Sequence, residues 1–128
     1  MMCLSIAPRA LPLLALAMTI FASPAYADPT KEAGKRVFQR CAACHSIDPG
    51  APAKFGPNLN GVVGRKVASV PGFRYSPALR AQKFVWTETQ LDKWLQNPRA
   101  LVPGTAMPIG GVSDAAERKA VIAYLKAP

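Results

Sequence analysis

Apolar residues recur along this chain at intervals of three and four positions, the spacing that gathers them on one face of an α-helix. Val37, Phe38 and Cys41 follow this spacing within a helix predicted over residues 29–40. Pro29 suits the first turn of that helix because its φ angle is already helical and its missing N–H has no partner there. No alternation typical of a strand surrounds these residues, and the pattern predicts an all-α fold.

Three further helices are predicted in the second half of the chain. A short helix is expected over residues 76–82 with Ser76 as its cap, and residues 87–90 have the order of a capping box. The helix that this box opens is expected to stop at Pro98, and Ser113 is predicted to cap the last helix. The inward faces of these last two helices are predicted to consist of Leu91, Trp94, Leu95, Val121, Tyr124 and Leu125.

The segment from 46 to 72 is rich in proline and glycine and is predicted to be a long loop. Loops of this length are uncommon in a compact domain unless something organises them. The chain has 128 residues, which allows one domain over residues 28–128 once a leader is set aside. A domain this small has a limited core of its own, so we expect it to wrap around a further apolar body.

The chain begins with a segment that has the features of a secretory signal peptide over residues 1–27. Arg9 gives it a weakly basic start, residues 13–22 form an apolar centre, and residues 25–27 fit the small-x-small cleavage rule. We expect the mature chain to begin near Asp28 and to lie in the periplasm of a bacterium. If the segment is kept, its uncharged run is at the lower limit for a membrane span, and the protein is then membrane-anchored.

The chain is basic, with 16 Lys and Arg against seven Asp and Glu and a net charge of +9. Removal of residues 1–27 takes away only Arg9, so the remaining chain carries +8, of which +7 lies in residues 28–106. No basic run or known nucleic-acid motif accompanies this charge, and an exported protein rarely meets DNA. An acidic protein partner is the better explanation.

Residues 41–45 read Cys-Ala-Ala-Cys-His, the C-x-x-C-H pattern that attaches c-type haem. Two thiols three positions apart lie on one side of a helical turn, where Cys41 and Cys44 can each add to one vinyl group of the same porphyrin. His45 can then reach the iron from that side. The motif predicts one covalently attached haem c, which suits an exported chain.

Three other interpretations use the same residues. A zinc site needs about four ligands, but His45 is the only histidine and Cys3 lies in the segment expected to be removed. A thioredoxin-like C-x-x-C needs a βαβ context, which the pattern around it lacks. A structural disulfide between Cys41 and Cys44 closes a small, strained ring and leaves His45 without a role.

Met107 is the one methionine outside the predicted signal peptide. Pro103 precedes it and Pro108 follows it, so it lies in a stiff loop rather than on the apolar stripe of a helix. A methionine thioether opposite a histidine raises the reduction potential of haem iron. We therefore predict His45 and Met107 as the two iron ligands, an arrangement without an open position that favours electron transfer over oxygen chemistry.

Several ordered stretches make residues 34–126 similar to class I c-type cytochromes, in particular the mitochondrial cytochrome c group and its soluble bacterial relatives. These stretches are GKRVF (34–38), CAACHS (41–46), GPNLNGVVGRK (56–66), PGFRYS (71–76), WLQNP (94–98), VPGTAM (102–107) and ERKAVIAYLK (117–126). The resemblance implies a cytochrome c fold over residues 28–128, with a few short helices and long loops wrapped around one covalently bound haem.

The resemblance also implies roles for individual residues. Gly34 and Phe38 are expected where the first helix crosses the last, at Val121 and Tyr124. The Pro57 carbonyl is expected to accept a hydrogen bond from the ring of His45, which fixes the ring and raises its basicity. The haem propionates are expected to be surrounded by Arg65, Tyr75, Ser76, Trp86 and Thr105.

Several positions depart from the family pattern, among them Ile109, which replaces a phenylalanine beside the haem edge. Trp94 stands where mitochondrial members carry a tyrosine, and Leu79 stands where they usually carry an asparagine. Both changes make the pocket more apolar and should disfavour the ferric haem relative to the ferrous haem. The lysines that usually follow the methionine loop are missing, and Asp114 and Glu117 occupy that region.

The leading hypothesis is an electron-transfer protein rather than an enzyme, a monohaem cytochrome that carries single electrons. Expected partners are acidic redox proteins such as a membrane oxidase or cytochrome complex, or a periplasmic dehydrogenase. We expect a monomer and no nucleic-acid binding. Two alternatives remain open: a dedicated subunit of a larger dehydrogenase, and a small haem peroxidase or gas-binding protein in which Met107 leaves the iron.

Overall fold

The computed structural model describes residues 29–128, and the predicted signal peptide and Asp28 lie outside the described residues. Within residues 29–128 the only pairing of extended backbone is an isolated antiparallel bridge between Lys66 and Val85. No helix in this part of the chain is long and apolar enough to cross a membrane. The prediction of an all-α fold is confirmed by five helices: α1 Pro29–Phe38, α2 Pro77–Arg80, α3 Glu88–Gln96, α4 Pro98–Leu101 and α5 Ala115–Lys126.

Helices α1 and α5 cross at close range because Gly34 has no side chain at the crossing point. A Cβ atom placed on Gly34 would lie 2.1 Å from the carbonyl oxygen of Ala120 and 2.7 Å from Cβ of Tyr124. One turn later, the rings of Phe38 and Tyr124 pack at a tilt with their centroids 5.6 Å apart. The expected crossing is confirmed, and it fixes the end of α1 from which the C-x-x-C-H segment continues.

Helix α3 begins at the predicted cap. The hydroxyl oxygen of Thr87 accepts a hydrogen bond from the backbone N–H of Gln90 at 3.1 Å. The backbone N–H of Thr87 donates to the Val85 carbonyl in the preceding loop. Of the two bonds of a capping box, the one accepted by the Thr87 hydroxyl therefore forms, and the Thr87 N–H is satisfied by the loop instead. A cap of this kind satisfies one of the N–H groups that a helix start leaves without an internal partner.

Helices α1 and α2 end at Phe38 and Arg80, each two residues before its predicted end, and the starts of two later helices also differ from the sequence prediction. Asn97 ends α3 but also caps α4, because its side chain accepts a backbone N–H of that short helix. Pro98, which was expected only to stop a helix, occupies the first turn of α4, where proline is favoured. The prediction that Ser113 caps the last helix is wrong, since the carboxylate of Asp114 accepts the Glu117 N–H at 2.8 Å. A carboxylate at this end is also favoured by the helix dipole.

A row of aromatic rings joins α3 to the loop before it. Trp86 packs edge-on against Phe84 and against Trp94, with centroid separations of 4.8 Å and 5.3 Å. Trp94 and Leu79, the two apolar departures from the family pattern, are both buried. The interior at these two positions is therefore apolar, as the sequence predicted.

Candidate haem site

The C-x-x-C-H segment is a helical turn that continues directly from α1. The N–H of Cys41 donates to the Phe38 carbonyl at 2.7 Å, and the N–H groups of Cys44 and His45 both donate to the Cys41 carbonyl, at 3.0 Å and 2.9 Å. Cys41 and Cys44 are both free thiols that are partly buried. The geometry thus keeps the two sulfurs available on one turn instead of joining them in a disulfide.

His45 is held in one orientation by the loop that follows it. Its Nδ1–H donates to the Pro57 carbonyl at 2.7 Å, the bond expected from the family resemblance. Burial lowers the pKa of His45, and the Pro57 carbonyl opposes part of that effect. A neutral ring whose Nδ1 carries the proton leaves the Nε2 lone pair available for a metal.

Gly56 forms a cradle for the His45 ring. A Cβ atom on Gly56 would lie 2.3 Å from Cε1 of the ring and 2.7 Å from Nδ1. The Gly56 N–H donates to the Cys44 carbonyl at 2.8 Å, which holds the loop against the turn. The space that an ordinary side chain would fill is taken by the imidazole, and this arrangement fits an axial histidine of a haem.

Met107 and Cys41 lie in the wall of one apolar cleft. Val37 from α1 and Leu95 from α3 share this wall. A cleft whose wall holds both an attachment thiol and a thioether suits an apolar macrocycle. The remaining residues that line it are Arg40, Pro98, Ile109, Gly111 and Val112.

The loop that carries Met107 is fastened at both ends. At its start, the Thr105 N–H donates to the carbonyl of Val102, a fully buried residue, at 3.1 Å. At its end, the Val112 N–H donates to the Leu95 carbonyl at 2.6 Å. Gly111 has a φ of 123°, and a Cβ there would lie 2.2 Å from the Gln96 carbonyl oxygen, so only glycine fits this close approach.

Arg118 is a residue of this site that the sequence reasoning did not identify. It is 7% exposed, and its Nη1 donates to the carbonyls of Val112 and Ser113 at 2.9 Å and 2.8 Å. Its Nε donates to Asp92 Oδ1 at 2.7 Å. Arg118 therefore ties the end of the Met107 loop to both α5 and α3. The one sequence signal that could have indicated it is an arginine whose position falls on the otherwise apolar face of the predicted helix.

The five residues expected around the propionates lie on neighbouring segments. Arg65 donates to the carbonyls of Asn58 at 2.9 Å and Asn60 at 3.0 Å, and its own carbonyl accepts the Trp86 N–H at 2.8 Å. Burial lowers the pKa of the Arg65 guanidinium, which nevertheless keeps its charge at neutral pH. Two of its five N–H groups serve these carbonyls, and the others remain for an anion.

Two hydroxyls beside this arginine are positioned through their oxygen atoms. The Tyr75 oxygen accepts the Val70 N–H at 3.2 Å, and the Ser76 oxygen accepts the Leu79 N–H at 3.2 Å. Each hydroxyl proton stays available for a further acceptor such as a carboxylate. The segment before Thr105 approaches the same region, because a Cβ on Gly104 would lie 3.3 Å from Ala78 Cβ in α2.

Comparison with known proteins agrees with this geometry. The family model described as cytochrome c matches residues 31–127. Cytochrome c2 of Rhodomicrobium vannielii is 44% identical over 111 residues, covering 85% of this chain and 87% of the relative. Cytochrome c type-1 of Ascaris suum is 46% identical over 96 residues, covering 74% of this chain and 85% of the relative.

A solved structure has the same fold. Cytochrome cH from Methylobacterium extorquens superposes with a TM-score of 0.72 at 37% sequence identity, covering 77% of this chain and 98% of that one. The chain belongs to the cytochrome c family. It is a monohaem c-type cytochrome with covalently bound haem c, an electron-transfer protein and not an enzyme. When bound, the haem iron supplies the chemistry by accepting and releasing one electron.

Proposed function

We propose that this protein carries single electrons through a haem held by Cys41 and Cys44, with His45 and Met107 as the iron ligands. The observation that carries this proposal is the His45 ring, which is clamped between Gly56 and the Pro57 carbonyl with Nε2 left free. The shared cleft of Cys41 and Met107 supports it further. The proposed propionate donors are Arg65, Tyr75, Ser76, Trp86 and Thr105.

The role of Met107 is tested by Met107→Ala. We expect a lower reduction potential and binding of added imidazole or cyanide, because the thioether that stabilises the ferrous iron and fills its coordination is gone. The measurements are redox titration and visible spectra with increasing ligand. Ile109→Ala is the matched control, since it truncates another residue of the same cleft. A variant that keeps the parent's potential and resists added ligands would show that Met107 is not the ligand.

We also propose that residues 1–27 are a cleaved signal peptide and that the mature protein works in the periplasm. The segment's sequence and the oxidising environment that suits covalent haem attachment support this placement. The intact mass of the purified holoprotein separates a chain that begins near Asp28 from an uncleaved, membrane-anchored one.

The proposed partner is an acidic redox protein, such as a membrane oxidase, a cytochrome complex or a periplasmic dehydrogenase. The net charge of +8 that remains after removal of residues 1–27 supports this partner, because opposite charges raise association rates. Arg40, Lys54 and Arg99 lie beside the haem-associated motifs in the sequence and are the proposed docking cations. Arg40 is paired with Glu117, so its charge is partly balanced. Arg99 lies in α4 next to Pro98, a wall residue of the haem cleft, and forms no ion pair with any described residue.

Electron transfer to membranes that contain the partner is expected to slow about tenfold as salt rises from low to physiological ionic strength. Screening shortens the reach of surface charge to about 8 Å under those conditions. Arg99→Glu should slow the reaction at low salt without moving the potential. Lys119→Glu is the control, because Lys119 and Thr30 line a different cleft from the one that holds Cys41 and Met107. A stopped-flow rate that does not change with ionic strength would refute electrostatic docking.

A further inference from the structure

Phe55 is the most exposed large apolar side chain in residues 29–128. It is 91% exposed, whereas Val85, the other exposed large apolar residue, is 42% exposed. A single exposed apolar residue is common on protein surfaces, so exposure alone does not indicate a role. Phe55 is distinguished by its position beside the haem-attachment turn and by the ordered backbone on both sides of it.

The backbone on both sides of Phe55 is fastened to the haem-attachment turn. On one side, the Lys54 Nζ donates to the Ala42 carbonyl at 2.8 Å. On the other, the Gly56 N–H donates to the Cys44 carbonyl at 2.8 Å while Gly56 packs against the His45 ring. The Lys54 N–H also donates to the Gly56 carbonyl at 3.1 Å, which closes a tight turn with Phe55 at its tip.

This bracing has an energetic consequence for association. A docking residue on a mobile loop loses conformational freedom when it binds, and that loss weakens the complex. The turn around Phe55 is already ordered by three hydrogen bonds and by the packing of Gly56 against His45, so the backbone that presents the ring is held in place. Aromatic residues of this kind supply large contact areas and often dominate the binding energy of an interface.

We propose that Phe55 is an apolar anchor that inserts into a recess on an acidic redox partner, next to the haem-attachment turn. The inference rests on the proposed electron-carrier function and names a contact for it. Lys54 is exposed and lies in the same turn, directly before Phe55. Acidic residues are therefore expected around the edge of the recess. The apolar contact holds the partner beside the haem-attachment turn after the surface charge has brought the two proteins together.

The chemistry of the surface favours such a protein over two other occupants. A second copy of this chain would bring together two surfaces of the same positive sign, in a protein whose net charge is +8 after removal of residues 1–27, and like charges disfavour association. A lipid surface is bound by an extended apolar face together with many basic residues, and this turn offers one aromatic ring with one adjacent lysine.

The test compares Phe55→Ser with Val85→Ser, which makes the same kind of change at the other exposed apolar position. Each reduced holoprotein is mixed in a stopped-flow instrument with membrane vesicles from the organism that makes it, at several ionic strengths. We expect Phe55→Ser to lower the second-order rate about fivefold or more at every ionic strength. The slope of the rate against salt, the visible spectrum and the potential should match the parent. Val85→Ser should transfer electrons at the parental rate.

Other outcomes overturn the proposal in distinguishable ways. Equal rates for Phe55→Ser and the parent would show that Phe55 is not an anchor, while the electron-carrier function stands. Loss of co-sedimentation with protein-free vesicles of anionic lipid would assign the ring to the membrane instead. A parent dimer that Phe55→Ser dissociates in analytical ultracentrifugation would assign it to self-association. A parent that exchanges no electrons with the vesicles would refute the proposed membrane partner and this inference with it.

Discussion

Gly56→Ala is expected to abolish normal haem ligation while leaving the helices able to form. The new Cβ would lie 2.3 Å from Cε1 and 2.8 Å from Nε2 of His45, distances at which atoms cannot remain. The ring must turn away, and its Nδ1–H then loses the Pro57 carbonyl at 2.7 Å. Loss of such an outer partner alone typically lowers metal affinity by about 10- to 100-fold.

The effect of Gly56→Ala is measured as the yield of holoprotein with a normal visible spectrum. Gly56 does not have a positive φ angle, so alanine brings no backbone strain and the expected loss comes from the contact with the ring. Gly110→Ala is the control, because Gly110 also lacks a positive φ and a Cβ there meets nothing within 4 Å. A Gly56→Ala holoprotein with parental yield and spectrum would disprove the cradle described for His45.

Gly34→Ala is expected to destabilise the fold by about 3 kcal/mol or more, at the upper end of the range for overpacking. The added Cβ would lie 2.1 Å from the Ala120 carbonyl oxygen, and a backbone atom in the middle of α5 cannot move aside as a side-chain end can. Alanine also favours the helix over glycine by about 1 kcal/mol. The steric term is larger, so the net effect is loss of stability.

Denaturant unfolding of the holoprotein measures the Gly34→Ala effect as a lower midpoint with an unchanged slope. The contrasting substitution is Gly110→Ala, which is expected to shift the midpoint little. Because α1 leads directly into Cys41, separation of the two helices should also lower the yield of attached haem. A midpoint equal to the parent's would mean that α1 and α5 can move apart without cost.

A feature could be predicted from sequence when the residues that cause it lie close together along the chain. The periodic apolar residues of α1 and α3 and the Thr87 cap depend on neighbours within about one turn, so the pattern revealed them. The two cysteines and His45 are adjacent in sequence, and a helical turn alone places them on one side. The close contact of Gly34 with α5 came from the family resemblance, since no property of residues 29–38 indicates what they cross.

Tertiary structure decided what depends on segments far apart in the chain. Arg40 and Glu117 are 77 positions apart, and only the path of the chain shows that a presumed docking cation is paired. Arg118 reaches Asp92 and the end of the Met107 loop because α5 packs beside α3. Asp114 replaced Ser113 as the cap because both residue types are good caps, and neighbouring candidates are separated only by where the backbone turns.

The sequence by itself determined the class of the protein, its all-α character and its haem-attachment chemistry, because motif spacing and helix periodicity act over a few residues. The tertiary structure decided how Gly56 holds the His45 ring, and it showed that Phe55 stands exposed on a braced turn. Both depend on a loop folding back on the turn that precedes it. The free energy of such a return comes from contacts made after closure, which no local pattern of residues records.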